Sequence, residues 1–209
     1  MPLTNFSSGS RATVALVEFD PYLPPGQLSF DHVIFLDFDG VLHGDGSDRD
    51  AWFCFVPEFC AVMRAVDPRA EVPIVISSMW RFDESIAKLR THFPGDIARQ
   101  IVGVTLDLSG QGAWEAPQPW SMHGGHTRVG ARQRECVAWM QAHAPAGQWL
   151  AIDDRASYFA EDCPNLFKVP GSFESQGEGL NSSVAKALML RLQAFLVSNL
   201  QGRETAASD

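Results

Sequence analysis

Basic residues are scarce in this sequence: 16 Lys and Arg stand against 25 Asp and Glu, a formal net charge of -9. A protein that coats nucleic acid without regard to sequence needs clustered Lys and Arg to displace phosphate counterions, so the charge argues against that class and leaves room only for local basic pockets. Cysteine is scarce too. Cys54, Cys60, Cys136 and Cys163 show no Cys-x-x-Cys spacing. Residues 1–10 lack a basic start and an apolar core, so no secretory leader is read and the thiols are expected to be reduced in a cytoplasmic protein. No apolar run approaches the roughly 18 residues of a membrane helix. No internal repeat is present.

What remains is ordinary for a soluble globular chain, with 45% hydrophobic and 20% charged residues over 209 positions. That length fits one α/β domain with a sizeable core. Residues 1–30 read as an N-terminal extension with an edge strand at Thr13 to Phe19, residues 31–200 as the domain, and residues 201–209 as a frayed polar tail.

The chain is organised around Val33 to Leu42, an apolar run that ends in Asp37-Phe38-Asp39-Gly40. Such a run, without helical periodicity, reads as a buried strand of a parallel sheet. Strand alternation puts Asp37 and Asp39 on one side and Phe38 on the other. Two acids that close repel unless a cation lies between them, and Mg²⁺ suits oxygen ligands of this kind. Gly40 permits a sharp turn and close approach to a ligand. Two solvated acids at a strand end would look the same in isolation.

Further along, Pro57, Phe59, Val62, Met63 and Val66 predict a helix, and Val72 to Ile76 a second strand that ends in Ser77-Ser78-Met79-Trp80-Arg81. Phe82, Ile86, Leu89 and Phe93 predict one continuous helix stopped by Pro94-Gly95. Ile101 to Thr105 is a third strand, followed by a long irregular stretch carrying Trp114, Trp120, His123 and His126. A loop of that length is expected to be functional, a substrate-gripping lid. A zinc site at the two histidines is disfavoured, since no other ligand is near in sequence. Arg132 to His143 predicts a helix with Val137 and Met140 inward. Arg128, Arg132 and Arg134 gather at its start, where the helix dipole favours negative charge, so an anionic ligand gives them a purpose. Trp149 to Ile152 is a strand that ends in Asp153-Asp154, Leu166 to Val169 another, and Ser182 or Ser183 is expected to cap a final helix.

Alternating strands and helices predict a doubly wound, Rossmann-like parallel sheet. Its polar groups follow strands: Asp37 and Asp39, then Ser77, then Arg132 on a helix start, then Asp153 and Asp154. Ends of neighbouring strands converge on one crevice.

That ordered set resembles the haloacid dehalogenase (HAD)-like phosphohydrolases, over about residues 32–170 and without a large cap domain. The resemblance implies Asp37 as the nucleophile on phosphorus and Asp39 as general acid and base. It implies Mg²⁺ held by Asp37, the backbone carbonyl of Asp39 and the Asp153-Asp154 pair, with Asp154 favoured as the direct ligand. Ser77, Ser78 and Gly40 would meet phosphate. A basic residue would neutralise it, and Arg132 takes that role with Arg128 and Arg134 as rivals. Many relatives use Lys there, and this stretch has none.

The pairing of Asp-Phe-Asp-Gly-Val-Leu-His with Ser77-Ser78-Met79-Trp80-Arg81 is similar to small HAD domains associated with RNA repair. That implies a phosphate on a nucleotide or nucleic-acid end, with Trp80 or Trp120 stacked on a base and Arg81, Arg128 and His43 as substrate contacts. The competing readings are a small-metabolite phosphatase and a non-catalytic metal- or phosphate-binding signalling module.

Overall fold

The computed structural model of the chain describes residues 30–44, 48–108, 130–170 and 179–197. The expected edge strand at 13–19, the tail, and Trp114, Trp120, His123, His126 and Arg128 lie outside them. Five strands form one sheet: β1 His32–Leu36, β2 Ile74–Ile76, β3 Ile101–Val104, β4 Gln148–Asp153 and β5 Leu166–Lys168. Their order across the sheet is β3-β2-β1-β4-β5 and every pairing is parallel. This is the doubly wound Rossmann-like architecture. Among the described residues no large cap domain stands over it, and no helix is long and apolar enough to cross a membrane.

Strand alternation divides the interior into two cores. Ile34, Leu36, Ile74, Ile76, Leu150 and Ile152 point to one face, where they meet helices α1 (Val56–Val66) and α5 (Ser182–Val197) and the apolar side chains Leu89, Phe93 and Ile97. Val33, Phe35, Val75 and Ala151 point to the other, against Cys136, Trp139 and Met140 of helix α4 (Ala131–His143). Each fully buried Ile, Leu, Val or Phe contributes roughly 1.5–3 kcal/mol relative to exposure. The odd positions of β1 therefore belong to the α4 side. That parity decides where its acids emerge.

Three local predictions need correction. Instead of one helix from Phe82 to Phe93, a 3₁₀ turn (Met79–Phe82) is followed by α2 (Ile86–Arg90) and α3 (Gly95–Gln100). The Ser85 side chain accepts a hydrogen bond from Lys88 N and starts a fresh helix, while Pro94 opens α3 at its N-cap rather than stopping α2. Phe82 is consequently exposed. The final helix is capped by Asn181, whose Oδ1 accepts from Ser183 N at 3.0 Å and Val184 N at 3.2 Å, not by the serines. In α4 the buried stripe is Arg132, Cys136, Trp139, Met140 and His143, with Val137 only half-buried. A polar residue thus leads the inward face, shifting its phase from the one that the apolar residues alone suggest.

Candidate active site

The sheet order reverses between β1 and β4: the chain leaves β1 toward β2 on one side and returns to β4 on the other. A crevice opens at the carboxyl ends of strands at such a point. Register brings the groups there into one row. Leu36 pairs with Ile76 on one side and Ile152 on the other, so Asp37, Ser77 and Asp153 each come one residue beyond a paired position. Asp37 N donates to Ile152 O at 3.0 Å and Ser77 N to Leu36 O at 2.8 Å, which carries the ladder one step past β1. By parity, Asp37, Ser77 and Asp153 face α4, and Arg132 at the start of that helix reaches all three.

Arg132 is buried, with Nη1 3.3 Å from Asp37 Oδ1 and 3.2 Å from Asp153 Oδ2, and it also donates to Ser77 O. Its guanidinium lies over the Tyr158 ring at 5.2 Å. Burial alone would weaken its hold on a proton, but the Asp37 and Asp153 carboxylates outweigh that and raise its pKa. The same burial, with the charge of Asp37 beside it, pushes the Asp153 carboxyl well above the usual carboxylate range against the pull of Arg132. Arg134, by contrast, is exposed.

Ligand oxygens of Asp37, Asp153 and Asp154 lie within 4.8 Å of one another, all three residues buried. One guanidinium bridges two of them. Arg155 Nε stands 4.0 Å from Asp154 Oδ1, its side chain 37% exposed. Three buried acids with hard oxygen donors at this spacing suit a divalent cation such as Mg²⁺. Asp153 is tied on both oxygens, Oδ1 accepting from Arg155 N at 2.8 Å and Oδ2 from Arg132. Asp154 projects to the Gly40 turn instead. Gly40 has φ +71, and a Cβ there would lie 2.5 Å from Asp154 Cγ. Only glycine both adopts that backbone without strain and leaves room for the carboxylate.

Asp39 sits in a different setting. Its side chain is 40% exposed, with Oδ1 3.0 Å from His43 Nε2 and 3.1 Å from Trp80 Nε1. Burial would raise its pKa, but these two hydrogen bonds outweigh burial and hold it below the ordinary value. Asp37 is far less open, its side chain 6% exposed, and its Oδ1 accepts from Phe38 N at 2.8 Å.

Several sequence candidates are placed differently from expectation. His43, expected at the substrate, is buried beneath Asp39. Arg81, expected on a phosphate, is enclosed: Nη2 pairs with Glu135 Oε2 at 2.8 Å and Nη1 donates to Ser78 O at 2.7 Å. Trp80 is half-buried, with ring contacts to Phe38, His43, Trp52, Phe53 and His92. Ser77 and Ser78 are both buried; Ser77 Oγ lies 3.9 Å from Cys136 Sγ, and Ser78 Oγ has no hydrogen-bond partner among the described residues. Sequence reasoning missed Glu135, Tyr158 and the His43 and Trp80 contacts to Asp39.

No curated protein and no solved structure matches the chain. A family model described as the HAD domain in Swiss Army Knife RNA repair proteins matches residues 33–172, from the first residues of β1 to beyond β5. That span holds every acid and base described above and well over half of the sequence. On that match, and on a sheet whose switch point gathers the motif acids, the chain belongs to the HAD domain family of Swiss Army Knife RNA repair proteins, within the phosphatase-type HAD hydrolases.

Proposed function

We propose that this chain is a Mg²⁺-dependent phosphomonoester hydrolase that works through an aspartyl-phosphate at Asp37, on the terminal phosphate of a nucleotide or nucleic-acid end. One observation carries the reading: Asp37, Asp153 and Asp154 converge within 4.8 Å, with Arg132 bound to two of them. Asp37, Asp154 and Asp153 would hold Mg²⁺, which when bound offsets the negative charge of the phosphate.

Phe38 N and Arg132 hold Asp37 Oδ1, so in this reading Oδ2 attacks phosphorus. As that bond forms, the ester P–O bond breaks and the leaving oxygen takes a proton from Asp39. The substrate phosphate itself, by bringing negative charge beside Asp39, raises that residue's affinity for the proton. Asp39 then takes a proton from water attacking the aspartyl-phosphate, releasing inorganic phosphate and free Asp37. Arg132 and the Ser77-Ser78 loop stabilise charge on the phosphoryl oxygens.

The family description supports a nucleic-acid substrate, as do the exposed apolar side chains of Trp52, Met79 and Phe82 on the segments beside Asp39. Bases stack on surfaces of that kind. The test is hydrolysis of an aryl phosphate with and without Mg²⁺, beside Asp37→Asn, followed by 3′- and 5′-phosphorylated RNA and DNA ends and a panel of small phosphate esters. Activity that needs both Mg²⁺ and Asp37 is expected, strongest on polynucleotide ends. Preference for small esters returns the metabolite reading; inertness on every phosphate leaves a binding module.

A further inference from the structure

The Asp39 carboxylate is held by two donors on one oxygen. His43 Nε2 lies 3.0 Å and Trp80 Nε1 3.1 Å from Oδ1, and Oδ2 takes no hydrogen bond from a described residue. Because an indole N–H only donates and a carboxylate only accepts, the Trp80 bond has one polarity. The His43 bond must then carry its proton on Nε2. Its Nδ1 is left buried without a partner among the described residues. A histidine serving stability alone gains little from such an arrangement.

The fold goes to some length to hold both donors. Leu42 N donates to Phe38 O at 2.8 Å, closing the turn that sets His43 under Asp39. Phe53 packs against the His43 ring at 5.2 Å and the Trp80 ring at 5.0 Å. Phe53 itself has φ 60, a left-handed conformation that is uncommon for a bulky side chain. Its ring stacks on His92 at 4.0 Å, and His92 Nε2 lies 3.0 Å from Glu84 Oε2. A strained backbone that seats one ring against both donors is the kind of feature that clusters at functional sites.

We propose that His43 and Trp80 are positioning residues that fix the rotation of the Asp39 carboxylate, so that Oδ2 is the oxygen presented to the leaving group. This rests on the phosphatase reading, in which that oxygen gives its proton to the ester oxygen as the P–O bond breaks. An aryl leaving group departs with little help; an alkyl leaving group needs the proton. Loss of the clamp therefore harms alkyl esters selectively.

The experiment compares kcat/KM for 4-nitrophenyl phosphate and glycerol phosphate in wild type, Trp80→Phe, His43→Leu and His43→Gln, each checked by thermal melting. Trp80→Phe removes the N–H together with part of the indole, so its melting temperature is read beside its activity. Trp80→Phe and His43→Leu are expected to lose at least about tenfold more on the alkyl than on the aryl ester, in kcat rather than KM. His43→Gln, whose amide reaches Oδ1 from the Nε2 position, is expected to recover most of that difference. Equal losses on the two esters, or losses confined to KM, overturn the clamp while leaving the phosphatase reading intact. A wild type inert on both esters and on phosphorylated polynucleotide ends overturns the two together. If His43→Leu does not fold, Trp80→Phe decides alone. Exchange protection of the Trp80 indole N–H, expected to fall in Asp39→Ala, gives a readout free of turnover; unchanged protection also overturns the clamp.

Discussion

Replacing Gly40 with alanine separates backbone strain from crowding at the acid cluster, because a second glycine supplies the control. Gly40 and Gly130 both have positive φ, +71 and +80, but a Cβ at Gly130 meets nothing within 4 Å. At Gly40 it lies 2.5 Å from Asp154 Cγ and 3.0 Å from Asp154 Cβ. Alanine in the left-handed region costs about 1–2 kcal/mol at either site. Overpacking a buried site adds typically 1–3 kcal/mol, and here the added methyl displaces the carboxylate expected to bind Mg²⁺. Gly130→Ala is therefore expected to melt about 2–8 °C lower than wild type, taking 2–4 °C per kcal/mol at this chain length. Gly40→Ala falls roughly twice as far and loses its stabilisation by Mg²⁺, while Gly130→Ala keeps it. Differential scanning calorimetry with and without Mg²⁺ reads both quantities. Equal melting shifts in the two variants, with Mg²⁺ stabilisation retained in both, would refute the argument that the Gly40 turn is built around Asp154.

Arg132→Met leaves Asp37 and Asp153 buried together without their shared cation, and breaking a buried pair in this way costs about 3–5 kcal/mol; urea unfolding measures it, and a loss below about 1 kcal/mol counts against Arg132 as the charge that holds the site together. Mg²⁺ at about a hundredfold over its dissociation constant is expected to stabilise wild type by about 2.7 kcal/mol. Asp154→Asn should abolish that gain, and an undiminished shift removes Asp154 from the metal site. On the surface, Arg64 donates to both Asp96 oxygens, at 2.6 and 2.9 Å, and holds that carboxyl down at about 2. A lowered carboxylate pKa stabilises the fold above the unfolded-state value of about 3.9 and loses that contribution as pH falls toward the folded-state value. The stability difference between wild type and Asp96→Asn is expected to be flat above about pH 4 and to vanish near pH 2; a difference that grows on acidification contradicts the pairing.

The parallel sheet was legible because its strands are short apolar runs with polar ends, and a strand buried on both faces has little alternative. Register then brought Asp37, Ser77 and Asp153 into one row, which sequence order anticipates only once the strands are taken as neighbours. Asp154 and Gly40 were each readable as motif members, but not their contact, since nothing local says that a turn after β1 must clear a side chain after β4. The break between Met79 and Gln100 was misread because apolar spacing continues across Ser85 and Pro94, while capping at those two residues decides where helices begin. Arg132 was singled out through its place at a helix start. Its membership of the inward stripe of α4 was hidden by its charge, and so was the phase of that helix. The buried roles of His43 and Arg81 escaped because a polar side chain near a site looks the same in sequence whether it faces substrate or supports a neighbour.

The central claim is that Asp37 becomes covalently phosphorylated during turnover. Its most direct test is acid quenching of the enzyme during hydrolysis of a radiolabelled phosphate ester in Mg²⁺, followed by peptide mapping. The account predicts acid-stable, hydroxylamine-sensitive label on the peptide containing Asp37, absent from Asp37→Asn. Turnover that proceeds with no protein-bound phosphate, or with label on another residue, would contradict it.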